Sequence, residues 1–350
     1  MPWVIEASDR VAFKRCRRAW DFGARSRQNY EPIPLTATLD VGRAIRDALA
    51  VYYFPGMWQW SREIVQPLAI KGFYTSLERQ RARCPEAQLT PEEQIAWNEQ
   101  AELGQQMLKR YFEWGPALDR FAPVRVETDF LVNIPDPVNP GWDLVTALGE
   151  PVQYRGRIDL LVVDEDKKYW LLHHRIAPAW SNLEHLFLED EGLAFCWAWE
   201  NFFLGMRIEG VIYNELRLRL PSPDRPAGSA GPRLDRVFEL ECNQWFRRTR
   251  IPRASSELKA IAEQLALEAL DMVSPDLRIY PNPSDESCAH CAFHLPCVAV
   301  TEGSDTKAIL SRSYRNRAEP SEYEQLGGAH WSVGRGAAPP QFGPGRAWPK

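Results

Sequence analysis

The chain has 350 residues, 45% of them hydrophobic and 25% charged, which is the balance of a globular chain with one large core or two smaller ones. Its formal net charge of −5 does not favour nucleic acid, so any such contact would depend on local basic patches. It has no apolar run long enough to cross a membrane, and its first residues lack the basic and apolar segments of a secretory signal. We therefore expect a cytoplasmic protein without membrane contact.

The first predicted element is an amphipathic helix over residues 9–20, with Cys16 on its apolar face. Its other face is basic, and the centre of this basic patch consists of Arg15, Arg17 and Arg18. Such a patch is either a solvated helix face or a set of phosphate contacts. We predict that these three arginines contact DNA.

Helices and then strands follow along the chain. We predict a helix over residues 40–53 and a helical insertion over 56–115, in which Thr90-Pro91-Glu92-Glu93 marks a capped helix start. An alternating pattern predicts a strand over residues 123–134, and further strands are predicted over 153–163, 168–175, 208–217 and, after a Pro/Gly-rich loop, near 236–241. The acidic turn at 164–167 links the second strand to the third. Further helices are predicted over residues 183–204 and 254–273.

A second basic patch precedes the last of these helices and includes Arg248 and Arg250. It is again either a solvated helix face or a second set of DNA contacts. Beyond the helix, residues 303–350 are poor in aliphatic side chains and rich in Gly, Pro and Arg, which predicts a flexible tail. The pattern predicts one domain over residues 1–302.

Three cysteines lie close together in the loop over residues 280–300: Cys288, Cys291 and Cys297. Their spacing presents three thiolates from one short segment, which can wrap around a single metal centre. A fourth ligand would come from elsewhere, and Cys16 is the leading candidate. A centre that includes Cys16 would join the N-terminal segment to the C-terminal one.

Three interpretations of these cysteines stay open at this point. Disulfides are disfavoured, because the total of seven cysteines is odd and no signal peptide is evident. Zinc would use His290 or His294 as a fourth ligand, and an iron–sulfur cluster would use four thiolates. The other three cysteines, Cys84, Cys196 and Cys242, have no partner spacing and are predicted to be small buried apolar residues.

The order of one helix, three antiparallel strands, a helix and a strand resembles the core of the PD-(D/E)XK nucleases. Within it, the segment Gly156-Arg157-Ile158-Asp159 is similar to the G-x-I-D strand of RecB-like exonucleases. The helix near residues 39–46 resembles the family's Gly-x-x-x-His helix. The basic helix around Cys16, together with the later C-x2-C-x5-C pattern, resembles the iron–sulfur branch, with its AddB-type subunits and CRISPR-associated spacer-processing exonucleases.

This resemblance covers roughly residues 8–300. It implies an α/β fold with a restriction-endonuclease-like core, in which helices flank a central mixed sheet, plus a helical insertion. It also implies a 4Fe–4S cluster that joins the two chain ends. The implied ligands are Cys16, Cys288, Cys291 and Cys297.

The resemblance further implies which residues would form a nuclease site, and this chain departs from the family's pattern at most of them. Asp159 is retained as a metal-binding acid. His173 stands where a second acid is expected, and Arg175 stands where a lysine is expected. Arg46 replaces the helix histidine, and Glu191 replaces the glutamine of a later motif.

These departures weaken the expected chemistry. Hydrolysis would need two acidic ligands for Mg²⁺ or Mn²⁺ and a lysine beside the attacking water. Arg175 cannot lose a proton near neutral pH, and His173 beside one carboxylate makes a weak Mg²⁺ site. Glu127, on the first of the three strands, would be a further ligand if metal binding is retained. We therefore expect divalent metal to bind weakly.

These observations together predict a pseudonuclease that binds DNA or a protein partner as a subunit of a DNA-processing, recombination or defence assembly. Two alternatives stay open. One is an active, metal-dependent DNA exonuclease with an atypical site. The other is a structural or regulatory module that binds protein, which the acidic net charge favours, whereas the basic N-terminal helix favours DNA.

Overall fold

A computed structural model describes residues 2–33, 39–82, 89–218 and 240–317. These ranges form a mixed α/β fold, in which a central seven-stranded mixed sheet is flanked by helices on both faces. The fold class predicted from the sequence is confirmed at this level. In the described ranges, no helix combines the length and the apolar character needed to cross a membrane.

The strands of the described ranges are β1 (Trp3–Glu6), β2 (Tyr30–Pro32), β3 (Phe121–Asn133), β4 (Val152–Asp164), β5 (Tyr169–Ala177), β6 (Ile208–Arg217), β7 (Leu240–Cys242), β8 (Phe246–Pro252) and β9 (Tyr314–Asn316). The main sheet has the order β1-β4-β5-β6-β8-β7, and β3 also pairs with β4. Strands β3, β4 and β5 are antiparallel, as predicted, whereas β6 is parallel to β5 and β1 is parallel to β4. Strands β2 and β9 form a separate antiparallel ribbon.

The α-helices of the described ranges are α1 (Ala7–Arg15), α2 (Arg17–Gly23), α3 (Val41–Tyr52), α4 (Arg62–Ala82), α5 (Pro91–Leu118), α6 (Leu183–Leu188), α7 (Asp190–Phe202), α8 (Ser255–Val273), α9 (Asp285–Ala289), α10 (His294–Glu302) and α11 (Thr306–Ser313). The predicted start of α5 is confirmed. Thr90 Oγ1 accepts a hydrogen bond from the Glu93 backbone N–H, and Glu93 Oε2 accepts one from the Thr90 backbone N–H.

Alternation along the central strands produces a separate hydrophobic core on each face of the sheet. Leu161 and Leu171 pack on the face covered by α7 and α8, whereas their neighbours Leu160 and Leu172 pack on the face covered by α3, α4 and α5. Burying one such side chain contributes about 1.5–3 kcal/mol to folding. Both faces are therefore covered, which explains why these strands read as nearly continuous apolar runs.

Where the structure describes it, the predicted helical insertion over residues 56–115 is mostly helical, but its helices form part of one of the two core layers. Phe73 on α4 and Tyr111 on α5 are fully buried. Gly104 lets α5 approach α4 closely, because a Cβ atom there would lie 2.5 Å from the ring of Phe73. Helices α4 and α5 are thus part of the fold's own core.

Two predicted helices are each broken in the structure. The helix predicted over residues 9–20 is interrupted at Cys16, whose backbone is extended (φ −164°, ψ 111°) between α1 and α2. The helix predicted over residues 183–204 is interrupted at Glu189 (φ −65°, ψ 119°) between α6 and α7. Arg253 donates hydrogen bonds to two carbonyls at the end of α6, which satisfies groups that the break leaves unpaired.

The second basic patch is not a helix face. It lies mainly on β8, between β6 and β7, where Arg247 and Arg248 are buried. This strand was not predicted from the sequence, because it contains several arginines and a run of charged side chains is normally exposed to solvent. Most of the strand predicted near 236–241 lies outside the described residues, where only β7 begins at Leu240.

The three cysteines without partner spacing were predicted to be buried, and the two that the structure describes differ in their exposure to solvent. Cys196 on α7 is fully buried, as predicted. Cys242 is exposed on the edge strand β7, so the prediction that it is buried is wrong. Cys84 lies outside the described residues.

The chain stays ordered beyond residue 303, where a flexible tail was predicted. Helix α11 and strand β9 occupy residues 306–316, and β9 pairs with β2 near the N-terminus. Phe293 stacks between Phe22 and Tyr314, with ring centroids 5.6 Å apart on each side. This small core holds the C-terminal segment, so the predicted tail is wrong for this stretch. Residues 318–350 lie outside the described part.

Candidate functional site

Two of the predicted site acids, Glu127 and Asp159, lie opposite each other on β3 and β4. At this level the alternation of β4 inverts, because Ile158 packs beside α7 whereas Leu160, two positions later, packs beside α3. The pairing register is the same on both sides of the inversion. Glu127 has a φ of +42°, which residues other than glycine rarely adopt. The local irregularity therefore brings the two carboxyl groups to one level of the sheet.

Asp159 is already paired within the protein. Its Oδ2 atom accepts a hydrogen bond from the His174 backbone N–H (2.7 Å) and lies 3.1 Å from His173 Nδ1. Burial opposes ionisation of this carboxyl, but His173 and the hydrogen bonds from both histidines lower its pKa to about 2. Asp159 is therefore charged at neutral pH, with an imidazole as its partner.

The pKa of Glu127 is shifted in the opposite direction, upward. Burial, followed by the charge of Asp159, raises the pKa of Glu127 to about 8, against the influence of Arg157 and Arg46. Arg157 lies 3.9 Å from Glu127, but its main partner is Asp129, at 2.7 Å. Near neutral pH, Glu127 keeps its proton while Asp159 is charged. The two carboxyls together therefore carry one negative charge near neutral pH, and it lies on Asp159.

Several of the predicted site residues line a narrow cleft between the sheet and α7. Asp159, His173 and Glu191 contribute to its walls, together with Glu189 at the break between α6 and α7. Arg175, two residues beyond His173, forms an ion pair with Glu189. The structure thus brings the predicted residues into one region. Sequence reasoning missed Glu189, because nothing in the pattern marked the helix break there.

A buried polar network lies behind this cleft, on the α3 side of the sheet, and sequence reasoning missed it. His174 is 3% exposed, and burial lowers its pKa to about 3, so its ring is neutral. Its Nδ1 atom lies 2.8 Å from Asn214 Nδ2, which also donates to the Tyr111 hydroxyl (3.0 Å). Because the His174 backbone binds Asp159, this network is connected to the cleft.

Arg248 lies at the far end of the network. It donates to Asp119 Oδ1 (2.8 Å) and to the Tyr111 hydroxyl (3.0 Å), and the Tyr53 hydroxyl also donates to Asp119 (3.1 Å). Burial lowers the pKa of Arg248, but Tyr111 and Asp119 outweigh it and raise the pKa above its usual range. Arg248 is therefore an internal ion-pair partner, and the expectation that it contacts DNA is wrong. Arg250 is mostly covered and lies 3.5 Å from Asp164.

The basic N-terminal helix is largely neutralised by nearby acids. Arg10 and Lys14 on α1 pair with Asp190 and Glu268, which lie on α7 and α8. These pairs hold α1 against the helical layer on this face. The patch is therefore less positive toward solvent than its composition suggests.

The three arginines predicted to contact DNA differ from one another. Arg17 forms an exposed ion pair with Asp271 (3.3 Å), and Arg18 donates to the backbone and the sulfur of Cys297. Arg15 is exposed and forms no ion pair with any residue in the described ranges. Of the three predicted phosphate contacts, Arg15 has the most accessible charge.

The four cysteines predicted to hold a cluster are free and partly exposed. Cys16 Sγ accepts a hydrogen bond from the Asn282 backbone N–H (3.4 Å), and Cys297 Sγ accepts one from Arg18 Nη1 (3.6 Å). Hydrogen bonds to sulfur are typical surroundings of metal-bound thiolates, and four thiolates are the usual ligands of an iron–sulfur cluster. Among the described residues, no group of three or more His, Cys, Asp or Glu side chains is arranged to hold a metal ion.

Comparison with known proteins identifies no family. No family model matches the chain, and no curated protein matches its sequence. One solved structure, titled "Crystal structure of SSO0001", is 14% identical and aligns with 74% of this chain and 94% of its own, at a TM-score of 0.31. A likeness at that TM-score supports no argument about fold or function.

Proposed function

We propose that this protein is an iron–sulfur pseudonuclease with a PD-(D/E)XK core, which binds DNA or serves as a subunit of a DNA-processing or defence assembly. The order of elements supports the core assignment. Helix α3 precedes the antiparallel strands β3, β4 and β5, and α7 then leads to β6, which runs parallel to β5. The retained Asp159 lies on the middle one of these three strands.

The pairing of the cleft's charged groups is the observation that carries the proposal of inactivity. His173 partners Asp159, and Arg175 partners Glu189. In a hydrolytic site, an acid and a lysine at these positions would bind a divalent metal and orient water. Here an imidazole and a guanidinium occupy these positions and pair with the acids instead. Arginine also cannot move a proton near neutral pH, so the cleft lacks a proton carrier at this position.

The proposed cluster would be held by Cys16, Cys288, Cys291 and Cys297. Hydrogen bonds to the first and last of these sulfurs support this assignment, as does the packing of the N-terminal and C-terminal segments against each other. A bound 4Fe–4S cluster would supply a covalent link between these segments and a one-electron redox centre. The chain's own residues already align the two segments through Arg18, whose backbone N–H donates to the Tyr280 carbonyl.

An active, metal-dependent exonuclease is the second candidate, and the number of acids favours it. Glu189 and Glu191 line the same cleft as Asp159, and Glu127 lies beside Asp159 on β3. Displacement of His173 would free Asp159 to bind a hard cation, with Glu191 in the same cleft. The two hypotheses, pseudonuclease and exonuclease, differ in whether the existing side chains permit a metal ion to bind in the cleft.

A protein-binding module is the third candidate. Three apolar side chains at helical spacing lie at the start of α4: Trp60 just before the helix, and Ile64 and Leu68 on it. Their exposed fractions are 50%, 53% and 37%, an unusual stripe of apolar surface. This observation favours a protein partner in addition to, or instead of, DNA.

Rebuilding the acid-x-Lys strand tests the proposal. The triple change His173→Glu, Arg175→Lys and Glu189→Gln restores an acid beside Asp159 and leaves the new lysine unpaired. We expect Mn²⁺-dependent cleavage of labelled DNA to appear above the wild-type level, because two carboxylates would then hold the metal.

The matched control is His185→Glu with Arg312→Lys, which makes similar changes at exposed positions elsewhere. Adding Asp159→Ala to the triple variant should remove the gain. A triple variant that folds normally but gains neither Mn²⁺ affinity nor cleavage would argue against the assignment of these positions.

A further inference from the structure

A second charged region lies at the carboxyl ends of the parallel strands β5 and β6. In the pairing register Ala177 is opposite Arg217, and the loop after β5 carries Trp180 and Ser181 over these strand ends. Crevices beside the carboxyl ends of parallel strands are preferred ligand sites in α/β folds. Arg175 Nη1 donates to Ser181 Oγ (3.2 Å), so this region is continuous with the cleft described above.

Trp180 lies between two arginines that differ in how they are neutralised. The guanidinium carbon of Arg217 lies 3.9 Å from the centre of the Trp180 ring, and that of Arg247 lies 5.3 Å from it. Arg247 pairs with the buried Glu215 (2.5 Å). Arg217 is 7% exposed, and its Nε atom has no hydrogen-bond partner. Within the described chain, Arg217 forms no ion pair, and the nearby carboxylate of Glu215 is paired with Arg247 instead.

A second stack of an arginine on a tryptophan adjoins the first. Arg110 on α5 is exposed, and its guanidinium carbon lies 4.2 Å from the centre of the Trp245 ring. The backbone N–H of Arg217 donates to the Trp245 carbonyl (2.9 Å), so the two stacks are neighbours. We refer to Trp180, Arg217, Trp245 and Arg110 as the aromatic–arginine patch.

We propose that the aromatic–arginine patch binds single-stranded nucleic acid. Arginines contact the phosphates, and bases stack on the aromatic and guanidinium faces, which is the combination that proteins use to bind single strands. An acidic peptide would satisfy the charges but would offer no bases to stack on the arginine–tryptophan pairs. The inference deepens the proposed DNA-binding function and rests on it. It locates the contact on the sheet side, because most of the basic N-terminal helix is neutralised.

The test is fluorescence anisotropy of a short labelled oligothymidylate with the full-length holoprotein and without added divalent metal. We expect binding at low salt. Trp245→Leu should weaken it roughly 5- to 100-fold, the range for loss of one stacked base. Arg110→Gln and Arg217→Gln should each reduce the log–log salt slope by about 0.7, the value for one single-strand phosphate contact.

The exposed position of Arg110 keeps the test valid if Arg217→Gln fails to fold. Arg312→Gln removes the same charge at an exposed position elsewhere and should leave affinity within about twofold. Undetectable binding by the wild type, an equal loss in Arg312→Gln, or equally tight binding of polyglutamate to the same patch would overturn the proposal. Metal-dependent cleavage by the wild type would instead refute the pseudonuclease and leave this binding result unaffected.

Discussion

Replacing any one of Cys16, Cys288, Cys291 and Cys297 with serine should abolish iron binding. Protein purified anaerobically should be brown, absorb near ~400 nm and contain about four irons per chain, as expected for a cubane held by four thiolates. Each replacement should also destabilise the packing of the chain ends, because metal binding is coupled to folding. Iron analysis, the visible spectrum and thermal unfolding measure these effects together.

Cys242→Ser is the matched control, because Cys242 is exposed on β7, away from the four proposed ligands. It should keep the full iron content and the wild-type melting temperature. Stoichiometric zinc with no iron would favour the zinc interpretation. Full iron retention in Cys16→Ser would show that the fourth ligand lies elsewhere.

Asp119→Ala should destabilise the protein by about 3–5 kcal/mol, the typical loss when one partner of a buried ion pair is removed. Asp119 accepts hydrogen bonds from Arg248 and Tyr53, and it has 2% side-chain exposure in its pair with Arg248. The substitution leaves the charge of Arg248 buried without its carboxylate. Urea unfolding of holoprotein gives the free-energy difference directly.

The control for this effect is Asp271→Ala, which removes the partner of Arg17 at the surface. The Asp271 side chain is 64% exposed, so its pair contributes only about 0–1 kcal/mol. An Asp119→Ala loss below about 1 kcal/mol would mean that water reaches Arg248 and that the network is not sealed.

The strands that form the site could be predicted because their patterns are local. Residues that face opposite cores alternate along β4 and β5, and the acidic turn Asp164-Glu165-Asp166-Lys167 joins these strands as predicted. The positions of Asp159, His173 and Arg175 relative to one another follow from strand order and register alone. The residues with which they form hydrogen bonds and ion pairs cannot be predicted in this way.

The remaining features depend on contacts between distant parts of the chain. Strand β8 was missed because its arginines are buried, and each one is balanced by a residue far away in the sequence, such as Asp119 for Arg248 and Glu215 for Arg247. The breaks at Cys16 and Glu189 follow from packing of the flanking helices, and no Gly or Pro marks them. Local sequence patterns do not indicate which distant residue will balance a buried charge or pack against a helix end.

We propose above all that this protein does not hydrolyse phosphodiesters. The most direct measurement compares cleavage of labelled single- and double-stranded DNA by wild-type holoprotein and by Asp159→Ala, with Mn²⁺ and with Mg²⁺. We expect the two proteins to be indistinguishable, because His173 and Arg175 already pair with Asp159 and Glu189 in the cleft. Robust wild-type cleavage that Asp159→Ala abolishes would contradict this account.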